Sequence, residues 1–302
     1  LPFVAAVDVR GGGPGSRELE LLKPENSIDQ IDAIFLAGGS AFGLDVGSGI
    51  AGYLEEHGRG FDTRVARVPI VCGAILFDLA LGDAKIRPGA AAGYQAMQAA
   101  GRGKVQEGNV GAGAGATVGK LFGVDRAMKG GIGSWALSRP DGLKVGALTA
   151  VNAVGDIVDA STGRIIAGAR RKNGRGFVGT LDQLRKGYDP GSPFAGNTVL
   201  AAVATNAALT KTQCTKIAQM AQDALARCIY PAHMPWDGDT VFAISTGTWI
   251  SDKAPDVGVI GALAADSLAV AIVRAVLMCE PWGDYPAARK YSASQRARTR
   301  TK

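Results

Sequence analysis

The chain has 302 residues, 47% of them hydrophobic, enough for one large domain or two ordinary ones and against disorder as the default state. Its formal charge of +6 sits at one end: six basic and no acidic residues lie from Arg289 onward, and the 27 basic residues before them equal the 27 acidic ones. That argues against a basic nucleic-acid-binding body, and four widely spaced cysteines (Cys72, Cys214, Cys228, Cys279) without a Cys-x-x-Cys pair argue against a zinc site.

Leu1 to Val9 reads as a short apolar strand running into the loop Gly11-Gly12-Gly13-Pro14-Gly15. Ile31 to Ala37 reads as a second strand. The turn Gly38-Gly39-Ser40 follows, then a helix over 41–57 with Phe42, Val46, Ile50, Tyr53 and Leu54 at helical spacing and Ser40 as N-cap. Val68 to Phe77 is strand and turn material, Ala90 to Ala100 a short helix, and Gly108 to Gly123 a Gly-Ala run. Strands are predicted over 131–138, 144–154 and 157–158, with Pro140-Asp141-Gly142 and Gly155-Asp156 as hairpin-type links. A polar loop over 170–176, a short helix or turn over 180–187 and a loop from Tyr188 to Ala195 lead to Gly196-Asn197-Thr198-Val199-Leu200-Ala201-Ala202-Val203-Ala204-Thr205. This run of small and β-branched residues reads as a buried strand. Residues 207–229 predict one amphipathic helix with Leu209, Ile217, Met220, Leu225 and Cys228 on its apolar stripe, ended by Pro231 and Pro235. Thr240 to Ser245 is another strand. The last long helix, 257–278, carries Asp266 and Arg274 and so reads as a core helix rather than a membrane span. Antiparallel-looking groups of strands with helices between and after them predict an α+β fold.

Only two histidines are present, His57 at an apparent helix end and His233 in a proline-flanked loop, and neither has a nucleophile motif beside it. The run Gly111 to Lys120 fails as a phosphate loop, with Ala114 where the pattern needs Gly and Leu121 where it needs Ser or Thr. Its small residues suit a backbone passing close to a site, into which Lys120 can deliver one cation. The free amides of the Gly38-Gly39-Ser40 turn can bind an anion. Asp237-Gly238-Asp239 converges two carboxylates on one point, without the further ligands a metal needs. Such a pair can instead hold an amine, and Thr198 can supply one. Its hydroxyl attacks the carbonyl of Asn197, the acyl group shifts from nitrogen to oxygen, and hydrolysis frees the Thr198 amine. A free α-amine titrates at roughly 7.7–8.0, near working pH, and can take the proton of its own hydroxyl. Asp237 and Asp239 would orient amine and hydroxyl, with Asn152 and Lys120 as candidate donors to the oxyanion. The rival reading makes Thr198 an ordinary strand residue of a non-catalytic binding protein, with the basic tail 289–302 as its contact.

The segments Gly38-Gly39-Ser40-Ala41-Phe42-Gly43-Leu44-Asp45, Asn197-Thr198-Val199-Leu200 with Val203 to Ala207 and Leu209-Thr210-Lys211, and Asp237-Gly238-Asp239-Thr240 together resemble the P1 peptidase family. That family includes D-esterase/L-aminopeptidases and β-aminopeptidases, and Thr198 with Asp-Gly-Asp most resembles its nylon oligomer hydrolases, the 6-aminohexanoate-oligomer endohydrolases. The resemblance implies a self-processing hydrolase of the N-terminal-nucleophile type, with a four-layer αββα sandwich. It implies cleavage between Asn197 and Thr198 into an α part, 1–197, and a β part, 198–302, that remain one folded domain. Further assembly into a homo-oligomer of the αβ unit, commonly a tetramer, is also implied. By the match Thr198 is the nucleophile, Asp237 and Asp239 assist it, and Lys120 and Asn152 line the site. The expected substrate is a small linear amide of an ω-amino acid, with an aminopeptidase on peptide or β-peptide N-termini as the rival of the same fold. No cofactor, metal, nucleic acid or membrane partner is expected, and the expected location is cytoplasmic.

Overall fold

Period-two alternation along the strands decides the architecture. In the computed structural model, which describes residues 2–189 and 196–291, five strands form the central sheet. Their order is Val4–Val9, Thr240–Ser245, Thr198–Thr205, Lys144–Asn152, Gly131–Ser138. Neighbours are antiparallel except Thr198–Thr205 and Thr240–Ser245, which run parallel. Along Thr198–Thr205, Val199, Ala201 and Val203 face one core while Leu200 and Ala202 face another. Val241 and Ala243 part from Phe242 in the same way, and Ala6 from Ala5.

The first core is closed by the helices Lys211–Ala221, Asp223–Cys228 and Val257–Leu277, through Ile217, Leu225, Ile260, Leu268 and Ile272. The second lies between the central sheet and a smaller one ordered Gly15–Arg17, Val71–Ile75, Ala33–Ala37. Alternation works there too. Cys72 and Ala74 face the central sheet, while Val71, Ile75 and Phe35 face Val46, Ile50 and Leu54 of the helix Val46–Glu56. The helix Ala90–Gln98 packs against that helix. Helix, sheet, sheet, helix is the four-layer αββα arrangement expected of this α+β chain. Each large side chain between the sheets, such as Leu200 or Phe242, contributes about 2 kcal/mol by burial.

Three local expectations need correction. Ser40 is not a helix N-cap: it lies in the 3-10 turn Ser40–Asp45 at φ 55°, after Gly39 at φ 84°. The turn is held from a distance, Gly39 N–H donating to Asp78 Oδ1 at 2.7 Å and Ser40 N–H to the Leu76 carbonyl at 3.0 Å. The predicted helix 207–229 is two helices broken at Gln222 and starting only at Lys211, after a Thr210–Gln213 capping box. Residues 207–209 are held by Ser245, which accepts from Leu209 N–H and donates to the Ala207 carbonyl, and buried Gln222 donates to the Asp8 carbonyl. Finally, Gly155-Asp156 is no hairpin: Asp156–Val158 pairs with Ile165–Ala167 and Ile229–Tyr230 in a separate sheet.

The helix Val257–Leu277 is apolar and long enough to cross a membrane by length and composition. Here it lies in the core, and Arg274 reaches out to a bidentate pair with Glu107. All four cysteines are buried and free of disulfides. Pro190 to Ala195 of the loop before Thr198, and the basic tail beyond 291, lie outside the described residues.

Candidate active site

Register brings the candidates together. The antiparallel pair sets Asn152 opposite Thr198, and a parallel bridge sets Asp237 beside Asn197. Thr198 shares the alternation of Leu200, so it opens onto the end of the space between the sheets. All five of Lys120, Asn152, Thr198, Asp237 and Asp239 are buried. With the 197–198 peptide intact, the Thr198 hydroxyl contacts the carbonyl oxygen of Asn197. That same oxygen accepts from Gly238 N–H at 3.1 Å. Gly238 is required by proximity: a Cβ there would sit 2.6 Å from Thr198 Oγ1.

The two carboxylates of the Asp-Gly-Asp turn are held differently. Asp239 Oδ1 accepts from Val199 N–H at 2.8 Å, and its Oδ2 accepts from His233 N–H at 3.0 Å and lies 2.9 Å from His233 Nδ1. Asp237 Oδ2 accepts from Met234 N–H at 2.8 Å, while its Oδ1 is buried with no hydrogen-bond partner among the described residues. Burial, then the neighbouring Asp239 charge, pushes the Asp237 carboxyl up to about 7. The Gly11–Gly13 loop clamps the turn: Gly13 N–H donates to the Asp237 carbonyl at 2.8 Å and Arg10 N–H to the Asp239 carbonyl at 3.0 Å.

Lys120 reaches the residue on the other side of Asn197 from Thr198. Its Nζ donates to Gly196 O at 2.7 Å, Asn152 Oδ1 at 2.9 Å and Asn152 O at 3.1 Å. Asn152 Nδ2 donates to Gly196 O at 3.0 Å and Phe77 O at 2.8 Å. Both predicted oxyanion donors therefore hold the carbonyl of Gly196, one residue before the one Thr198 touches. Burial pushes the Lys120 ammonium down to about 7, against the pull of Asp237 and Asp78.

A cavity of about 280 Å³ opens here, lined by Phe77, Asp78, Lys120, Gly196, Asn197 and Tyr285 among others. A second cavity of about 620 Å³, mostly apolar, is lined by Leu36, Leu79, Ile86 and Trp282 among others. The two share Asp78, Leu81 and Gly115 as walls. We place the chemistry at the smaller cavity because Lys120, Gly196 and Asn197 line it, and the larger one extends the space available to a ligand.

Sequence reasoning missed three contributors. Asp78 is the anion that the Gly38-Gly39-Ser40 turn binds, and burial raises its carboxyl. His233 joins the acidic turn. The glycines Gly11 to Gly13, read as a plain loop, pack on the main chain of residues 235–239. Their only signal was three consecutive glycines; Asp78 had none. His57 stays exposed, with Nδ1 2.7 Å from the Tyr53 carbonyl. Among the described residues, no group of three or more His, Cys, Asp or Glu is placed to hold a metal ion.

The family model "Peptidase family S58" matches residues 1–286. An uncharacterized aminopeptidase of Mycobacterium leprae is 42% identical over 308 residues, covering 94% of this chain and 82% of its own. A 6-aminohexanoate-oligomer endohydrolase of a Kocuria species is 31% identical over 243 residues, covering 80% of this chain and 65% of its own. The solved L-aminopeptidase D-Ala-esterase/amidase of Ochrobactrum anthropi, a variant of the Ntn hydrolase fold, superposes with a TM-score of 0.65 over 99% of this chain and 82% of its own. At 18% identity that likeness speaks for the fold. The non-catalytic alternative gives way to an amide-bond hydrolase of Ntn hydrolase fold. From the match across nearly its whole length, the chain belongs to peptidase family S58.

Proposed function

We propose that the chain cuts itself between Asn197 and Thr198 and then hydrolyses linear amides through an acyl ester on Thr198. The observation that carries this is the Thr198 hydroxyl resting on the Asn197 carbonyl while Gly238 N–H holds the same oxygen. Attack of Oγ1 on the Asn197 carbonyl carbon puts negative charge on that oxygen, where the Gly238 amide already points. The C–N bond breaks, the nitrogen of Thr198 takes a proton, and water hydrolyses the ester to an Asn197 carboxylate and a free Thr198 amine. In turnover that amine accepts the Oγ1 proton and passes it to the leaving amine. Asp237, with one oxygen open, receives the new ammonium. Departure of the new C-terminus releases Lys120 and Asn152 from Gly196 O, and they then hold the substrate oxyanion.

Both parts would stay associated, since the central sheet interleaves them. Thr198–Thr205 lies between Lys144–Asn152 and Thr240–Ser245, and Val4–Val9 closes the far side of Thr240–Ser245. A homo-oligomer of that αβ unit is part of the same proposal.

For substrate, we propose linear amides of ω-amino acids such as 6-aminohexanoate oligomers, which the Kocuria relative's name and the apolar second cavity support. A second reading, an aminopeptidase on peptide N-termini, is favoured by the higher identity to the M. leprae protein. N-acetylated and free 6-aminohexanoate oligomers separate the two: an endo-acting amidase cleaves both, and an aminopeptidase leaves the blocked form intact. The self-cleavage test is Thr198→Ala. The parent should yield two fragments, one beginning Thr-Val-Leu, and the variant a single folded 31.0 kDa chain without activity. Cleavage at that bond in the variant would remove Thr198 from the mechanism.

A further inference from the structure

We infer that His233 is a positioning residue of this site: its ring N–H fixes the Asp239 carboxylate, which in turn anchors the strand start directly behind Thr198. The inference rests on Thr198 being the nucleophile, as proposed above. A carboxylate only accepts hydrogen bonds, so Nδ1 at 2.9 Å from Asp239 Oδ2 must carry the hydrogen. The His233 amide lands on the same oxygen at 3.0 Å, and Val199 N–H takes the other oxygen at 2.8 Å.

Two features say that the imidazole is there for this contact. First, His233 has φ 59°, a left-handed conformation uncommon outside Gly that His, Asn and Asp adopt more readily than other side chains. That turn of the backbone is what delivers both its amide and its ring to one carboxylate oxygen. Second, its Nε2 is buried without a hydrogen-bond partner among the described residues. An apolar ring would fill the space without leaving a nitrogen unpaired, so packing does not account for histidine. The Nδ1 donor does.

The carboxylates thus divide their work. Asp239, with both oxygens engaged, is a fixed support; Asp237, with Oδ1 open, is the one left for the ammonium of Thr198. Without the ring donor, Asp239 can rotate and Val199 follows, carrying Thr198 with it. Misplacing a reacting group by about 1 Å costs about 10²-fold in rate.

The test follows self-cleavage by intact mass at successive times in cell-free translation, for the parent, Thr198→Ala, His233→Asn and His233→Gly, with circular dichroism confirming folding. Asn tolerates the left-handed backbone and places an amide N–H near Nδ1; Gly keeps the backbone and loses the donor. His233→Asn should cleave within about threefold of the parent, and His233→Gly about 10- to 100-fold more slowly. If His233→Gly does not fold, His233→Phe, which keeps a ring but has no donor, takes its place. Parent-like cleavage in the donorless variant, or an Asn variant as slow as it, overturns the inference. Cleavage of Thr198→Ala, or none in the parent, overturns the underlying reading instead, so the two failures are told apart.

Discussion

Lys120 and Lys129 are both buried, both give their ammonium to main-chain carbonyls, and burial pushes them down to about 7 and about 8. They differ in what holds them. Lys129 donates to the carbonyls of Gly113, Ala114 and Ala116 at 3.2, 2.9 and 2.8 Å, all in one loop of the cavity wall. Lys120 donates to Asn152 and to Gly196, whose carbonyl lies one residue before the proposed cut. The same desolvation gives a staple where the acceptors are permanent and, under the proposed self-cleavage, a reactive donor where one of them leaves.

The largest effect that sharpens this contrast is expected from Lys120→Met. Amide turnover by the cleaved protein should fall by about 10²-fold or more, as on losing an oxyanion donor. Its melting temperature should not fall, because Asn152 Nδ2 still holds Gly196 O and a buried charge is gone. Lys129→Met should do the reverse, costing about 1–2 kcal/mol of stability as Ala114 O loses its donor while Gly113 O and Ala116 O keep only main-chain ones, with turnover near the parent's rate. Amide turnover and thermal melts on both variants check this; if both fail by the same readout, the contrast is broken.

A smaller effect is expected with pH, read on Thr198→Ala so that the chain stays whole. Asp237 is raised to about 7, so the folded state binds its proton more tightly and stability falls as pH rises toward 7. Asp78 and Asp156, also raised by burial, add to that fall. Lys120 is lowered to about 7, so the unfolded state holds the extra proton above that pH and stability rises again. Between pH 6 and 8 the unfolding free energy, read by denaturant melts, should pass through a shallow minimum about 1 kcal/mol deep on either side. Asp237→Asn should flatten the acid side. Lys120→Met should leave only the rise that Lys129 begins near 8. A monotonic profile in the Thr198→Ala background would show that these groups do not titrate as the geometry requires.

Much of the site was legible because its residues advertise themselves locally. Asn197-Thr198 stands at the head of a small, β-branched strand, and Asp237-Gly238-Asp239 stands before another. Lys120 and Asn152 drew notice as a cation beside small residues and a polar group in a strand. Their contact was not legible: that they grip Gly196 depends on two strands meeting in register. His233 was seen and set aside for want of a neighbouring nucleophile motif, and Asp78 was not singled out at all. Asp78 is 120 residues from Thr198, and nothing in Leu76-Phe77-Asp78-Leu79 marks it.

By itself, the sequence determined where apolar residues alternate, and with that the strands, the faces they bury and the α+β layering. Periodicity is a property of a few adjacent residues, and burial of apolar surface acts on it wherever the chain goes. Only the tertiary structure decided where helices begin under Ser245 and Gln222, which anion fills the Gly39 turn, and which oxygen of which aspartate is left open. Those outcomes turn on hydrogen bonds between groups far apart in the chain, where tenths of an ångström decide the partner, and no local pattern encodes such distances.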